Sequence, residues 1–327
     1  MKAVVLAGGE GTRLRPLTYT TPKPLLPIAN RPFLEHQLAW LAGHGVDDVV
    51  LSIGYRPDAF AGHFTGDAFG GVRLRYAVEP EPLGTAGAIR FAAGDLSERL
   101  LVCNGDVLTD LDVSALVRFH TERGAEATIS LTQVEDPSAF GVVPTAGDGR
   151  VIAFVEKPPA GEAPTDWINA GTYVLEPSVL DGIPAGRAVS IERETFPALL
   201  ERGGGLYAMR SDGYWLDIGT PGKYLQANLD LLEAGASLIG PGAEVAPGAK
   251  VSESVLGAGV RIAGDARVSR SVLLAGACVE AGAEVTDSIL GAGASVGRGA
   301  VVGGISIVGP AAAVPPGAQL LGARIAT

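Results

Sequence analysis

The sequence predicts an α/β protein in two parts. A Rossmann-like, doubly wound mixed sheet spans residues 1–233, and a parallel β-helix of about five coils, built from hexapeptide repeats, spans residues 234–327. Three observations predict this. Apolar strands alternate with helix-patterned segments from Lys2 onward, which implies a mostly parallel sheet with ligands at the carboxyl ends of its strands. A glycine-rich loop with basic residues follows the first strand. From Leu238 the chain has no aromatic residue and no histidine, and aliphatic residues recur about every six positions.

The elements follow in order. Lys2–Leu6 is an apolar strand that runs into Gly8, Gly9 and Gly11. Phe33, Leu34, Gln37, Leu38 and Leu41 fall at helical spacing within 32–43, and Asp48–Ile53 (DVVLSI) is a buried strand. Val72–Ala77 is a further strand, as is Leu100–Cys103, which ends abruptly in Asn104-Gly105-Asp106. Shorter elements begin at Asp136, with a strand pair around Val151–Glu156 and a segment WINAGTY from Trp167. A helix over Tyr224–Glu233 closes the first part.

The opening loop is suited to phosphate. Glycines let backbone N–H groups approach an anion, and Arg13 and Lys23 add fixed positive charge. Two common phosphate loops do not fit. A P-loop needs Gly-Lys-Ser/Thr where Gly11 is followed by Thr12 and Arg13, and a dinucleotide fingerprint beginning at Gly9 meets Leu14 where its third glycine belongs.

The full pattern, GG-x-GTRLRPLT followed by PKPLLPIAN, resembles the signature of the sugar-1-phosphate nucleotidylyltransferases. Within them, EPLGTAG (from Glu81), SIERETFP (from Ser190) and YWLDIGTP (from Tyr214) are most similar to the mannose-1-phosphate guanylyltransferase branch. The resemblance implies that Leu6, Gly8, Gly9, Gly11, Thr12, Glu79, Gly84 and Thr85 bind the nucleotide. It also implies a sugar-phosphate site of Gly141, Glu156, Lys157, Asn169, Gly171 and Trp215. Glu156 and Asn169 would hold hydroxyls there, and Lys157 the phosphate. Asp106 and Asp217 are the implied ligands of one Mg²⁺, an ion that takes few protein ligands and completes its shell from substrate. Arg13, Lys23, Asp106 and Asp217 form the expected catalytic group.

The implied reaction is in-line attack of a sugar 1-phosphate oxygen on the α-phosphate of a nucleoside triphosphate, with release of pyrophosphate. A phosphate monoester has a second pKa of ~6, so the nucleophile is already dianionic at neutral pH and no general base is needed. What the protein must overcome is repulsion between anions. The best-matching substrates are GTP and mannose 1-phosphate; thymidylyl or uridylyl transfer to glucose 1-phosphate, and guanylyl transfer to an unusual sugar or cyclitol phosphate, stay open.

In the second part, SLIG, SVLG, SVLL, SILG and SIVG begin at Ser237, Ser254, Ser271, Ser288 and Ser306, at spacings of 17, 17, 17 and 18. Between them Ile239, Val245 and Val251 open a register that continues through Leu256, Ile262 and Val268 to Val308, Val314 and Leu320. Three apolar corners per coil imply a triangular parallel β-helix, each coil burying its corners against the next. The resemblance implies the left-handed form. Such a helix offers flat surfaces for a homo-oligomer.

Composition narrows the function classes. A net charge of -11 and a pI near 4.9 oppose binding to nucleic acid or an anionic membrane. Cys103 and Cys278 lie in different halves of the chain and are expected to be small core residues. No basic leader precedes an apolar run, and no run approaches ~18 apolar residues, so the expected location is cytoplasmic. Acyl transfer on the β-helix would need a histidine base, and His36, His44, His63 and His120 all precede it. A nucleotide-sugar-binding pseudoenzyme should lack a loop glycine, the arginine or a metal carboxylate, and all are present.

Overall fold

The computed structural model describes residues 1–94 and 98–326. Its contacts divide into two compact units, the first of Met1–Gly9 with His36–Trp215, the second of Glu10–Glu35 with Leu216–Thr327.

Among the described residues the first unit is built on ten strands. They are β1 (Lys2–Leu6), β2 (Asp48–Ile53), β3 (Ala68–Phe69), β4 (Val72–Val78), β5 (Leu100–Asn104), β6 (Ala127–Gln133), β7 (Gly141–Val142), β8 (Val155–Glu156), β9 (Trp167–Leu175) and β10 (Leu206–Arg210). The order is β8-β7-β9-β5-β1-β2-β4-β3, with β6 pairing β9 and β10. Strands β5, β1, β2 and β4 are mutually parallel, whereas β9 runs antiparallel to β5 and β6, so the sheet is mixed. Ala3, Val4 and Val5 of β1 are wholly buried, as the continuous apolar run of a central parallel strand requires.

Helices α1 (Phe33–Gly43), α2 (Gly84–Ala93) and α3 (Val113–Arg123) bury Leu34, Leu38 and Leu41; Ala86, Ile89 and Ala93; and Val113 and Leu116. In the main core, Tyr173 packs edge-on against Phe196 with ring centroids 5.4 Å apart. Cys103 is buried, and burial pushes its thiol up to about 12. His120 of α3 is fully buried, with Nδ1 2.8 Å from Thr128 Oγ1 and Nε2 3.0 Å from Glu176 Oε1.

The second unit carries the three-sided coil. Its strands form three parallel sheets of six, five and five, the first passing through Leu238–Ile239, Val255–Leu256, Val272–Leu273, Ile289–Leu290, Ile307–Val308 and Arg324–Ile325. This arrangement is consistent with a left-handed β-helix. The expected aliphatic corners form its buried core from Leu256 to Val314. Ile239 and Val245 differ, being 47% and 42% exposed, because the first coil has no preceding coil to cover it. Cys278 also departs from the core assignment. It is only half-buried, since strand alternation turns it outward when Val279 points in, and it shares its row with Arg261 and Ser295.

The repeated serines have a structural task that spacing alone did not reveal. Ser271 Oγ accepts from Ser288 N at 3.1 Å and donates to Ser269 O at 2.7 Å, and Ser254 does the same one coil earlier. Each hydroxyl thus satisfies a buried backbone donor of the next coil at the corner where the ladder breaks. The 18-residue step interrupts the row: Gly304 and Ile305 both take positive φ, and Ile305 is 44% exposed.

Segment Glu10–Glu35 is tied to this unit. Asn30 Nδ2 donates to Leu256 O (2.8 Å), Ala29 N to Asn228 Oδ1 (2.8 Å), and Tyr224 OH to Pro27 O (2.5 Å). Asn228 and Tyr224 belong to α4 (Pro221–Asp230), which begins three residues earlier than its apolar pattern suggested because Thr220 caps it.

Two predictions concern stability. Ser271→Ala leaves the Ser288 N–H buried without a partner and should cost about 1–3 kcal/mol in urea unfolding; an unchanged midpoint would refute the ladder. Burial holds the His120 pKa below its ordinary value. Burial works against the Glu176 carboxylate, but the His120 and Arg99 hydrogen bonds prevail and hold it low. Both depressions mean that the unfolded chain binds more protons. Stability is therefore complete above ~6.5 and falls as acid protonates first the imidazole, then the carboxylate. His120→Gln should flatten the loss that begins as pH falls below about 6.5, measured as urea midpoint against pH.

Candidate active site

Parallel pairing brings the ends of β5, β1, β2 and β4 to one edge of the sheet. Ala7 N donates to Ser52 O (2.8 Å), Gly105 N to Leu6 O (2.9 Å) and Glu79 N to Ile53 O (2.9 Å), so the loops leaving these strands start side by side. Leu6 closes β1, and Gly8 and Gly9 follow it. Glu79, just past β4, accepts from Ser52 Oγ on Oε1 (3.0 Å) and from Leu83 N on Oε2 (3.1 Å). Its Oε1 lies 3.2 Å from where a Gly8 side chain would begin, so the carboxylate borders the glycine loop.

Gly84 opens α2 at φ +66°, and a β-carbon there would stand 2.6 Å from Val189 O. Thr85 Oγ1 donates to Glu192 Oε2 (2.7 Å) and accepts from Ile191 N (2.8 Å). The hydroxyl of Thr85, a residue expected to bind the nucleotide, is held within the chain and fixes the start of α2. Glu192 lies on a single π-helical turn, Ile191–Thr195, capped by Ser190.

The expected sugar residues gather on β7, β8 and β9. Gly141 pairs with Glu156, Val142 with Ile168, and a side chain on Gly141 would begin 3.0 Å from Glu156 Oε2. Lys157 Nζ is 3.6 Å from Glu156 Oε1 and largely exposed, at a backbone φ of 50°. In β9 a bulge sets Ala170, Gly171 and Thr172 opposite Ser130 alone. The bulge folds Asn169 back, so that Nδ2 donates to Tyr173 OH (2.8 Å) and Oδ1 accepts from Gly171 N (2.9 Å). Each end of the amide keeps one further hydrogen-bonding position. Gly171 takes φ +78°, with Asn104 Nδ2 2.6 Å from where its side chain would begin. Trp215 clamps the bulge by donating Nε1–H to Ala170 O (2.9 Å).

Tyr173 was not expected at the site. Burial, and then the carboxylates of Glu192, Glu156 and Asp106, push its phenol well above the ordinary value, against the hydrogen bond from Asn169. Those three carboxylates therefore lie near enough to one buried hydroxyl to act on it electrostatically. Asp106 stands just past β5 and is half-buried.

Gly11, Thr12, Arg13, Lys23 and Asp217 belong to the second unit. Thr12 and Arg13 are exposed on a short 3-10 turn. Lys23 is buried, and its Cβ lies 3.0 Å from where a Gly11 side chain would begin. Gly219 marks a second junction. Arg13 Nη2 and Asp217 Oδ2 lie 2.7 and 2.9 Å from its missing β-carbon, while Lys223 Nζ pairs with Asp217 Oδ1. Lys223 is a further cation that the sequence reading passed over. A lysine in the first turn of a helix was the available signal, because it opposes the helix dipole.

Among the described residues no three of His, Cys, Asp and Glu cluster as a complete metal cage. Asp106 of the first unit and Asp217 of the second each carry hard carboxylate oxygens, the donor type that divalent cations such as Mg²⁺ take. A glycine-rich loop at the strand ends and a separate floor carrying Glu156 and Asn169 are the arrangement expected of a nucleotidyltransferase acting on a phosphorylated sugar.

The comparisons with known proteins agree. The family model described as "Nucleotidyl transferase" matches residues 2–234, and the one described as "GMPPB C-terminal domain" matches 234–326. A Mycobacterium tuberculosis mannose-1-phosphate guanylyltransferase is 45% identical over 260 residues, covering 76% of this chain and 72% of that protein. An Emericella nidulans mannose-1-phosphate guanyltransferase is 42% identical over 254 residues, covering 75% and 69%. The crystal structure of HddC from Yersinia pseudotuberculosis complexed with GMP-PN superposes with a TM-score of 0.61 at 31% identity, covering 71% of this chain and 99% of that one.

The chain belongs to the nucleotidyl transferase family. It is an enzyme that transfers a nucleoside monophosphate from a nucleoside triphosphate to a sugar 1-phosphate, forming a nucleotide sugar. Enzymes of the family use a divalent metal ion. Among the described residues no helix is long and apolar enough to cross a membrane.

Gly84→Ala should raise the KM for nucleotide and destabilise the fold. Left-handed backbone costs a residue with a side chain ~1–2 kcal/mol, before the contact with Val189 O is added. Nucleotide titration and urea unfolding would read both effects; a variant with normal values would refute the close packing of this turn.

Proposed function

We propose that this enzyme makes GDP-mannose from GTP and mannose 1-phosphate, with Mg²⁺ as its metal. The observation that carries the base assignment is the Glu79 carboxylate. Two donors from its own unit hold it in place, and each oxygen keeps a lone pair beside the glycine loop. Guanine presents adjacent N–H donors that a carboxylate accepts together, whereas uracil and thymine present carbonyl oxygens on either side of their single N–H. The names of the relatives supply the mannose assignment, and the hydroxyls are given to Glu156 and the remaining amide positions of Asn169.

In this mechanism the backbone of Leu6, Gly8, Gly9, Gly11 and Thr12 receives the triphosphate, with Gly84 and Thr85 shaping the base pocket. Gly141, Gly171 and Trp215 shape the sugar floor. Arg13, Lys23 and Lys157 offset the charge of two approaching anions and of the five-coordinate α-phosphate. Asp106 and Asp217 would hold the metal, which when bound supplies positive charge to phosphate oxygens. No side chain need remove a proton, because the attacking phosphate is already ionised near neutral pH.

The β-helix is proposed to join copies of the chain. Its first coil leaves Ile239 and Val245 exposed, and Leu321 on the last coil is 78% exposed. Two free cysteines suit a reducing compartment, and the cytoplasm is the proposed location.

Pyrophosphate release across a grid of GTP, dTTP, UTP, ATP and CTP against mannose, glucose and N-acetylglucosamine 1-phosphates tests the substrates; a best pair other than GTP with mannose 1-phosphate overturns them. Arg13→Ala should lower kcat about 10²- to 10³-fold in a folded protein. Glu79→Gln should shrink the preference for GTP over UTP by about 10- to 100-fold, as loss of one paired contact to a base implies, read from the ratio of kcat/KM values.

A further inference from the structure

We infer that Lys223 is a built-in counter-cation which occupies the Asp217 carboxylate in the free enzyme and closes it to metal until nucleotide binds. The inference rests on Asp217 being a metal ligand.

The ion pair itself is the first support. Lys223 Nζ meets Asp217 Oδ1, and their side chains are only 35% and 17% exposed, so the pair is partly shielded from solvent. The second is the position of the lysine. It sits in the first turn of α4, its N–H capped by Thr220 Oγ1 (3.4 Å). A cation there meets the positive end of the helix dipole, so helix formation does not favour it, whereas the ion pair with Asp217 does. The third is the other face of the carboxylate. Oδ2 and Arg13 Nη2 converge on Gly219, at 2.9 and 2.7 Å from its missing β-carbon. Asp217 therefore faces protein cations on both sides.

A divalent ion approaching this carboxylate must give up tightly held water and displace an ammonium that is already in place. A triphosphate changes that balance. Its oxygens supply the ion with additional ligands, and they give Lys223, on a flexible four-carbon stem, an anion to move to. The lysine then changes from the partner of Asp217 to a phosphate-binding cation. Free enzyme should hold metal weakly, and metal should enter together with nucleotide.

Titration of the nucleotide-free full chain with Mn²⁺, followed by electron paramagnetic resonance, tests this. Lys223→Met should bind Mn²⁺ about tenfold or more tightly than the unaltered chain, as removal of one charge at contact distance implies, and K223R should bind as weakly as the unaltered chain. Adding Asp217→Asn to K223M should abolish the gain. Lys223→Gln is a second neutral variant should K223M fold poorly by circular dichroism. Equal Mn²⁺ affinity in K223M, K223Q and the unaltered chain would overturn the inference. In that case D217N with Mn²⁺ and a non-hydrolysable GTP analogue shows which part failed: weakened binding leaves Asp217 a ligand and removes only the role of Lys223, whereas unchanged binding removes the ligand assignment as well.

Discussion

The parallel pairing of β1 with β2 on one side and β5 on the other is the constraint from which the first unit follows. Parallel strands end at the same edge, so the loops after Leu6, Ile53, Val78 and Asn104 leave from one row. Backbone hydrogen bonds continue just past the strands, at Ala7, Glu79 and Gly105. There is little room between such closely paired chains. The Glu79 carboxylate enters where Gly8 faces it without a side chain.

The groups proposed to touch substrate are themselves held by hydrogen bonds inside the protein. Glu79 is fixed by Ser52 and Leu83, Asn169 by Tyr173 and Gly171, and Thr85 by Glu192 and Ile191. Each is thereby placed before any ligand arrives, which reduces the ordering required on binding. The bulge in β9 belongs to the same scheme: it turns the Asn169 amide back along its own strand and leaves the Trp215 indole to close the gap. In the first unit the carboxylates of Glu192, Glu156 and Asp106 act on the Tyr173 phenol, and in the second Lys223 pairs with Asp217.

The second unit does more than repeat a coil. Its core is aliphatic and regular, but the corners depend on a buried row of serine hydroxyls that replaces ladder hydrogen bonds where the backbone turns. The signature segment Glu10–Glu35 is bonded to this same unit through Asn30, Ala29 and Pro27. The segment that carries Arg13 thus takes its support from residues 197 to 226 positions later in the chain.

Periodicity determined much of this protein. Alternating apolar strands and helices specify an α/β sheet, and the six-residue aliphatic register specifies a three-sided coil, because burial of apolar faces is a local demand repeated along the chain. The signature around Gly8–Lys23 and the strand-end position of Asp106 were legible for the same reason, since glycines and charges at fixed offsets describe a loop. Tertiary structure decided the rest. That Thr85 meets Glu192, that Asn169 meets Tyr173 across a bulge, that Cys278 faces outward and that Lys223 neutralises Asp217 all depend on which segments pack together. Such contacts are made by side chains far apart in sequence or across an irregular strand, and no local periodicity records them.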